Sequence, residues 1–196
     1  MRLSLRDLVM VPVMTAVVAA LGLLPRIPVA FLPVPITMQT LGVMLAGIVL
    51  GARRGFLSQV LFLALVGVGA PMLAGGRGGF SVLVGPSAGF LWGWPLGAWL
   101  IGYLTERSGD PGSGKLFLYN MLGGIGVIYA IGIPVMAWVG SVPWAAATTG
   151  SLVFVPGDLL KAGLAAVLGF AIRRALRAAK IGPAGAGHAK ASHAGD

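Results

Sequence analysis

The chain contains no cysteine, which excludes disulfides and thiolate metal sites. Its only histidines, His188 and His193, lie near the C-terminus, far in sequence from any apolar run. Charge is scarce as well. Asp, Glu, Lys and Arg make up 10% of the 196 residues, against about 25% in an ordinary soluble domain. A soluble domain could not solvate its surface with so few charges, whereas lipid can surround such a chain. What is present fits that reading: 57% of the residues are hydrophobic and the mean hydropathy is +0.93. At about 20 residues per span, this length allows at most about seven helices with short loops. That leaves room for one membrane domain and no separate soluble one. The 32 glycines and 13 prolines agree with it, because helices packed in membranes tolerate both.

The net charge of +9 first suggests nucleic acid. The cations sit between apolar runs, however, and this is the pattern of positive-inside bias; no nucleic-acid partner is expected. The first apolar run follows Met1-Arg2-Leu3-Ser4-Leu5-Arg6-Asp7 with no clear A-x-A-type cleavage site, so it reads as a span rather than a removed signal.

The spans are expected at about 8–24, 36–50, 56–70, 87–105, 116–139 and 156–177. Pro25, Pro28, Pro33 and Pro35 forbid a continuous helix after the first span. Gly51-Ala52-Arg53-Arg54-Gly55 reads as a tight basic turn, and 71–86 as a Gly-rich loop. Residues 141–155 read as a mixed connection, with Pro156 opening the last helix. The fold expected is an all-α integral membrane bundle of six transmembrane helices, one domain over 1–178, followed by a disordered cytoplasmic tail over 179–196.

Arg2, Arg6, Arg53, Arg54, Arg107, Lys115, Arg173, Arg174, Arg177, Lys180 and Lys190 fall on one side of these spans. Arg26 and Arg77 fall on the other, and Lys161 lies inside the last span. This imbalance predicts cytoplasmic termini, with the Pro- and Gly-rich loops facing outward.

Two catalytic motifs appear without their chemistry. Gly109-Asp110-Pro111-Gly112-Ser113-Gly114-Lys115 fits G-x-x-x-x-G-K, but a span precedes it and Leu116 stands where a magnesium-binding Ser or Thr belongs. Gly85-Pro86-Ser87-Ala88-Gly89 fits G-x-S-x-G, but no histidine lies within the bundle to activate the serine. Ser87 reads instead as a helix N-cap. Neither an enzyme nor a bound cofactor is expected.

Asp158 and Lys161 carry the most information. Each is costly at membrane depth, and such residues face a cavity or each other. Their spacing places them on one helix face; a structural ion pair and a ligand site both satisfy it. Arg77 stands between Gly76 and Gly78, which permit close backbone approach, and its fork suits a carboxylate. Asn120 and Gln39 suit either a ligand contact or interhelical hydrogen bonding. The tryptophans read mostly as interface anchors, with room for one or two in a pocket wall. Ala16 and Ala20 form a small-xxx-small face that admits a partner helix.

Three segments stand in order: Val34-Pro35-Ile36-Thr37-Met38-Gln39-Thr40, Gly75-Gly76-Arg77-Gly78-Gly79 and Pro156-Gly157-Asp158-Leu159-Leu160-Lys161-Ala162. Together they resemble the biotin transporter substrate-binding family (BioY), the S-component of energy-coupling-factor (ECF) vitamin transporters, over about residues 5–178. The resemblance implies a six-helix S-component fold and high-affinity biotin capture at the outer face of a prokaryotic plasma membrane. It also implies coupling to a separate module of one transmembrane protein and two ATP-binding-cassette ATPases, with Ala16 and Ala20 at the docking face. It brings Gly76, Arg77, Gly78, Asp158, Lys161, Asn120, Gln39 and Phe31 into a biotin site. Asp158 would accept from the ureido N–H groups, Asn120 or Gln39 would serve the ureido carbonyl, and Arg77 or Lys161 would meet the carboxylate. Phe31, Leu32 and Phe80 would wall the thiophane ring. The alternatives are an S-component for another small vitamin and a ligand-free membrane assembly protein.

Overall fold

A computed structural model of the chain describes residues 4–29 and 32–179. The expected tail therefore lies outside the described residues apart from Ala179, as does Phe31. The described chain is helical almost throughout. In order come α1 (Leu5–Leu21), α2 (Gln39–Leu50), α3 (Ala52–Gly67), the short α4 (Ser81–Val84), α5 (Ala88–Arg107), α6 (Ser113–Asn120), α7 (Ile128–Val139), α8 (Trp144–Ser151) and α9 (Val155–Ala178). A π-helix over Met121–Val127 joins α6 to α7, and a 3₁₀ turn over Leu152–Phe154 joins α8 to α9. Two continuous rods result, Ser113–Val139 and Trp144–Ala178, and both are long and apolar enough to cross a membrane. α2 is apolar but only 12 residues long.

α1 begins where the sequence supplies a capping box. The Ser4 hydroxyl accepts from the Asp7 N–H at 3.2 Å, and the Asp7 carboxylate accepts from the Ser4 N–H at 3.0 Å. α2 and α5 form the buried centre. α5 packs on α2, α3 and α7, and α2 packs on α9 as well. The outer faces of α1 and α9 carry exposed Leu8, Val9, Val13, Leu160, Leu164 and Val167, which is the surface expected where lipid replaces water.

Three boundaries differ from the sequence expectation. The basic turn after α2 shrinks to Gly51, and Arg53 and Arg54 already belong to α3. Gly51 has φ +83°, open to a residue without Cβ. Gly102 of α5 lies against this turn so closely that a Cβ there would stand 2.3 Å from the Ala52 nitrogen. The connection after α7 is not irregular: helix resumes at Trp144 and runs through Pro156, which sits just past the 3₁₀ tightening. Ser87 does hold the N-cap position of α5, but its hydroxyl makes no cap bond, because its backbone is helical (φ −86°, ψ −5°) rather than extended.

Candidate ligand pocket

A pocket opens among the first turns of α2 and α9, the starts of α5 and α7, and the extended strap before α2. Its free space is about 650 Å³, the open mouth included. Ile27 and Ile36 pair across the strap through two backbone bonds of 3.0 and 2.9 Å. That pairing sets Val34, Pro35, Ile36 and Thr37 along one side of the pocket. The opposite walls are aromatic and aliphatic: Phe90, Leu91, Trp94, Ile128 and Phe154. Phe90 meets Tyr129 and Phe154 edge to face, at centroid distances of 6.0 and 6.4 Å, the arrangement favoured by ring quadrupoles.

The polar side of the pocket centres on Asp158. Lys161 Nζ donates to Asp158 Oδ1 at 2.8 Å, and both side chains are only 6% exposed. Tyr129 Oη donates to Asp158 Oδ2 at 2.5 Å. Thr40 completes the cluster: its hydroxyl accepts from Lys161 at 3.2 Å and makes a long bond of 3.4 Å to Asp158. All four residues line the pocket. The cluster is neutral in sum, so its burial does not strand a charge. It still offers carboxylate lone pairs, a phenol oxygen and ammonium protons side by side, which suits a ligand that presents N–H and C=O groups together.

Arg77 also lines the pocket. It closes a tight loop in which Leu73 and Arg77 exchange backbone bonds of 3.0 and 3.2 Å, with Gly75 and Gly76 at positive φ between them. Its Nε is buried and has no hydrogen-bond partner among the described residues. Burial, and secondarily the nearby Arg26 guanidinium, pull Arg77 below the usual arginine range. A donor and a cation thus stand ready for an acceptor that the described residues do not supply.

The other candidate residues fall into different places. Gln39 lines the pocket, but its amide is spent on the scaffold: Nε2 donates to Val18 O at 3.2 Å and Met72 O at 3.0 Å, and Oε1 accepts from the Ala74 N–H at 3.0 Å. Asn120 is not brought to the pocket. Its Nδ2 donates to Ala162 O at 2.9 Å, tying α6 to α9, and its Oδ1 is buried without a partner. Gly78 packs on backbone, where a Cβ would stand 2.2 Å from Ala70 O, and Gly76 borders a separate cavity beside Ala20 instead. Leu32 is buried against Gly150, and Phe80 is 68% exposed; neither lines the pocket. Ala16 and Ala20 lie on the exposed face of α1. Sequence reasoning passed over Tyr129 and Thr40 as pocket groups. The signal for Tyr129 was a phenol within an otherwise apolar run, just after a Gly-rich stretch whose π-geometry has no sequence signature.

A model of the BioY family matches residues 1–178. The chain belongs to the BioY family. The biotin transporter BioY of Rhizobium etli is 49% identical over 176 residues, covering 87% of this chain and 94% of that protein. The probable biotin transporter BioY of Bacillus subtilis is 48% identical over 174 residues, covering 89% of this chain and 94% of that one. The crystal structure of the S-component for biotin from an ECF-type ABC transporter superposes with a TM-score of 0.82. It is 34% identical, and the match covers 86% of this chain and 91% of that one. The fold is therefore an all-α, membrane-associated fold of the S-component type. BioY proteins are multi-pass transport proteins of the plasma membrane, not enzymes.

Proposed function

We propose that this protein is the biotin-capturing subunit of an ECF-type transporter, binding biotin in the pocket between α2, α5, α7 and α9. The observation that carries the reading is the buried Asp158–Lys161–Tyr129–Thr40 cluster in the wall of an aromatic pocket, in a chain whose BioY relatives are named biotin transporters. The ureido ring of biotin carries two N–H donors and one carbonyl. Asp158 and the Tyr129 oxygen accept from the donors, and Lys161 donates to the carbonyl. Phe90, Trp94 and Phe154 wall the thiophane ring. The carboxylate at the end of the valerate tail meets Arg77, the remaining pocket cation. Gln39 and Asn120 act by holding the scaffold around the site rather than by touching the ligand.

In this reading residues 1–178 form one domain with six membrane spans, made of α1, α2, α3, α5 and the two continuous rods. Both termini are cytoplasmic, and the strap and the Arg77 loop face outward. The lysine and arginine distribution supports that orientation. The exposed Ala16–Ala20 face of α1 docks a transmembrane coupling protein, which in turn binds two ATPases. Equilibrium binding of radiolabelled biotin to the detergent-purified chain tests the core of the proposal. Saturable binding, competed by unlabelled biotin and not by other vitamins, is expected. Preference for another vitamin would reassign the ligand within the S-component class, and no binding at all would leave the cluster as an internal ion pair.

A further inference from the structure

Arg26 touches two segments that each send a residue into the pocket wall, Ile36 from the strap and Arg77 from the Gly-rich loop. It immediately precedes Ile27, whose bridge to Ile36 anchors the strap, and Ile36 lines the pocket. Its guanidinium also lies against the backbone of Gly75, where a Cβ would stand 2.9 Å from Nε and 3.0 Å from Cζ. Gly75 has φ +80° and belongs to the loop that presents Arg77. The positive φ favours a residue without a Cβ there, and the Arg26 side chain lies over the space that a Cβ would take. Arg26 is exposed and stands outside the pocket lining, whereas Arg77 is half-buried within it.

These two segments carry two cations and no acid. The acidic residues of the chain are Asp7, Glu106, Asp110, Asp158 and Asp196. Asp7 pairs with Arg54, Asp110 with Arg177 and Asp158 with Lys161. Glu106 accepts from the Ala52 N–H at 3.1 Å, at the α2–α3 turn. Asp196 lies outside the described residues. Among the described residues, then, the two guanidiniums are near enough to repel each other and have no carboxylate between them. An exposed charge at the rim of a site acts chiefly on the rate of encounter and its salt dependence, whereas a desolvated one acts on residence.

We infer that Arg26 is a rim residue that steers a carboxylate-bearing ligand into the pocket and hands it to Arg77, setting the association rate and the preference for an acid over its neutral analogue. The inference rests on the proposal that the pocket takes biotin. It separates two roles: Arg26 governs arrival, and Arg77 with the Asp158 cluster governs residence.

The test is rapid filtration of tritiated biotin and of tritiated biotinamide, its uncharged analogue, on the full chain in detergent. Wild type is compared with Arg26→Gln and Arg26→Lys. Arg26→Gln should slow biotin association about three- to tenfold at low ionic strength. The difference should vanish near 0.5 M salt, where screening acts within about 4 Å. Dissociation and biotinamide association should stay at wild-type values, and Arg26→Lys should keep the fast rate because steering needs charge and not a fork. Equal slowing of both ligands would overturn the inference in favour of a packing role for the strap. An unchanged biotin rate, or a Lys variant as slow as the Gln variant, would overturn it as well. Failure of wild type to bind either ligand would remove the biotin reading itself, a result distinct from all of these.

Discussion

Two carboxylate–cation pairs anchor opposite ends of the molecule, and they differ in what surrounds them. Asp7 joins α1 to Arg54 of α3, closes the capping box of α1, and lies where helices touch. Asp158 pairs with Lys161 of its own helix and faces open space lined by Phe90 and Trp94. At the Asp7 end Gly102 brings α5 onto the α2–α3 turn at backbone contact, leaving no room for a ligand. At the Asp158 end Pro35 of the strap and an aromatic wall border open space between the helices. Arg54 remains 27% exposed, while Lys161 is 6% exposed. A buried pair is dearer to maintain than an exposed one, so the costly pair is the one beside the cavity. The same chemistry is therefore a staple in one place and, in the function proposed above, a recognition surface in the other.

The sharpest way to break this contrast is Asp158→Asn. The change keeps the shape and replaces one acceptor oxygen with an N–H₂ group, which would oppose a ureido N–H. A charge-assisted bond is worth about 1.5–3 kcal/mol, so biotin affinity should fall roughly 10- to 150-fold. Because Lys161 is left without its partner, the double variant Asp158→Asn, Lys161→Met separates stability from binding. It should melt no earlier than the single variant and bind biotin no more tightly than that variant does. Recovery of biotin binding in the double variant, measured by calorimetry, would mark the pair as structural and erase the contrast.

Gly102→Ala probes the packed end. The new methyl would meet the backbone of Gly51 and Ala52 at 2.3 Å, so the helices must part at a cost of about 1–3 kcal/mol. The melting temperature should fall by several degrees, while biotin affinity per folded molecule stays as it was. Loss of affinity at constant melting temperature would show that the two ends are coupled. Tyr129→Phe has a smaller effect at the pocket end. It deletes the phenol bond to Asp158, worth about 1 kcal/mol net, and biotin affinity should drop about fivefold, as read by equilibrium binding. An affinity at the wild-type value would take Tyr129 out of the recognition surface.

How much of this was legible in the sequence follows from the same contrast. Asp158 and Lys161 were conspicuous because charge inside an apolar run is rare and because i, i+3 spacing puts both on one face of a helix. Arg77 was conspicuous because glycines bracket it. Tyr129 and Thr40 were not, since a phenol or hydroxyl within a helix is as often interhelical glue. Only the tertiary packing decides which one faces the carboxylate. Gln39 and Asn120 carry the same amide, yet one borders the pocket and the other ties α6 to α9. No local pattern separates them. The helix that resumes at Trp144 has no clear local signal for a related reason: glycine, proline and threonine weaken it, and packing of α8 on α7 outweighs that weakness. The segment 121–127 was read as ordinary span. Its π-geometry arises where Gly123 meets α5 and Gly124 meets Met44 of α2, a long-range contact.

The smallest effect comes from Asp7, and its pH dependence distinguishes a staple from a site. The Ser4 N–H, then the bond to Arg54, hold the Asp7 carboxyl at about 2 against its ordinary 3.8, with burial opposing them. A carboxyl depressed by folding stabilises the fold above its unfolded value, and that contribution is lost as pH falls through the folded value. The window is therefore about pH 4 down to about 2. In Asp7→Asn the amide oxygen still accepts from Ser4, so the capping box persists, but the charge facing Arg54 is gone. At pH 7 the variant should melt slightly earlier than wild type and bind biotin with unchanged affinity. As pH drops below 4 the wild-type melting temperature should fall more steeply, and the two curves should converge near pH 2. Every other carboxylate is common to both proteins, so the difference curve isolates Asp7. A parallel offset across the whole range would deny Asp7 its linkage. A loss of biotin affinity at pH 7 would show that the packed end does more than hold helices together.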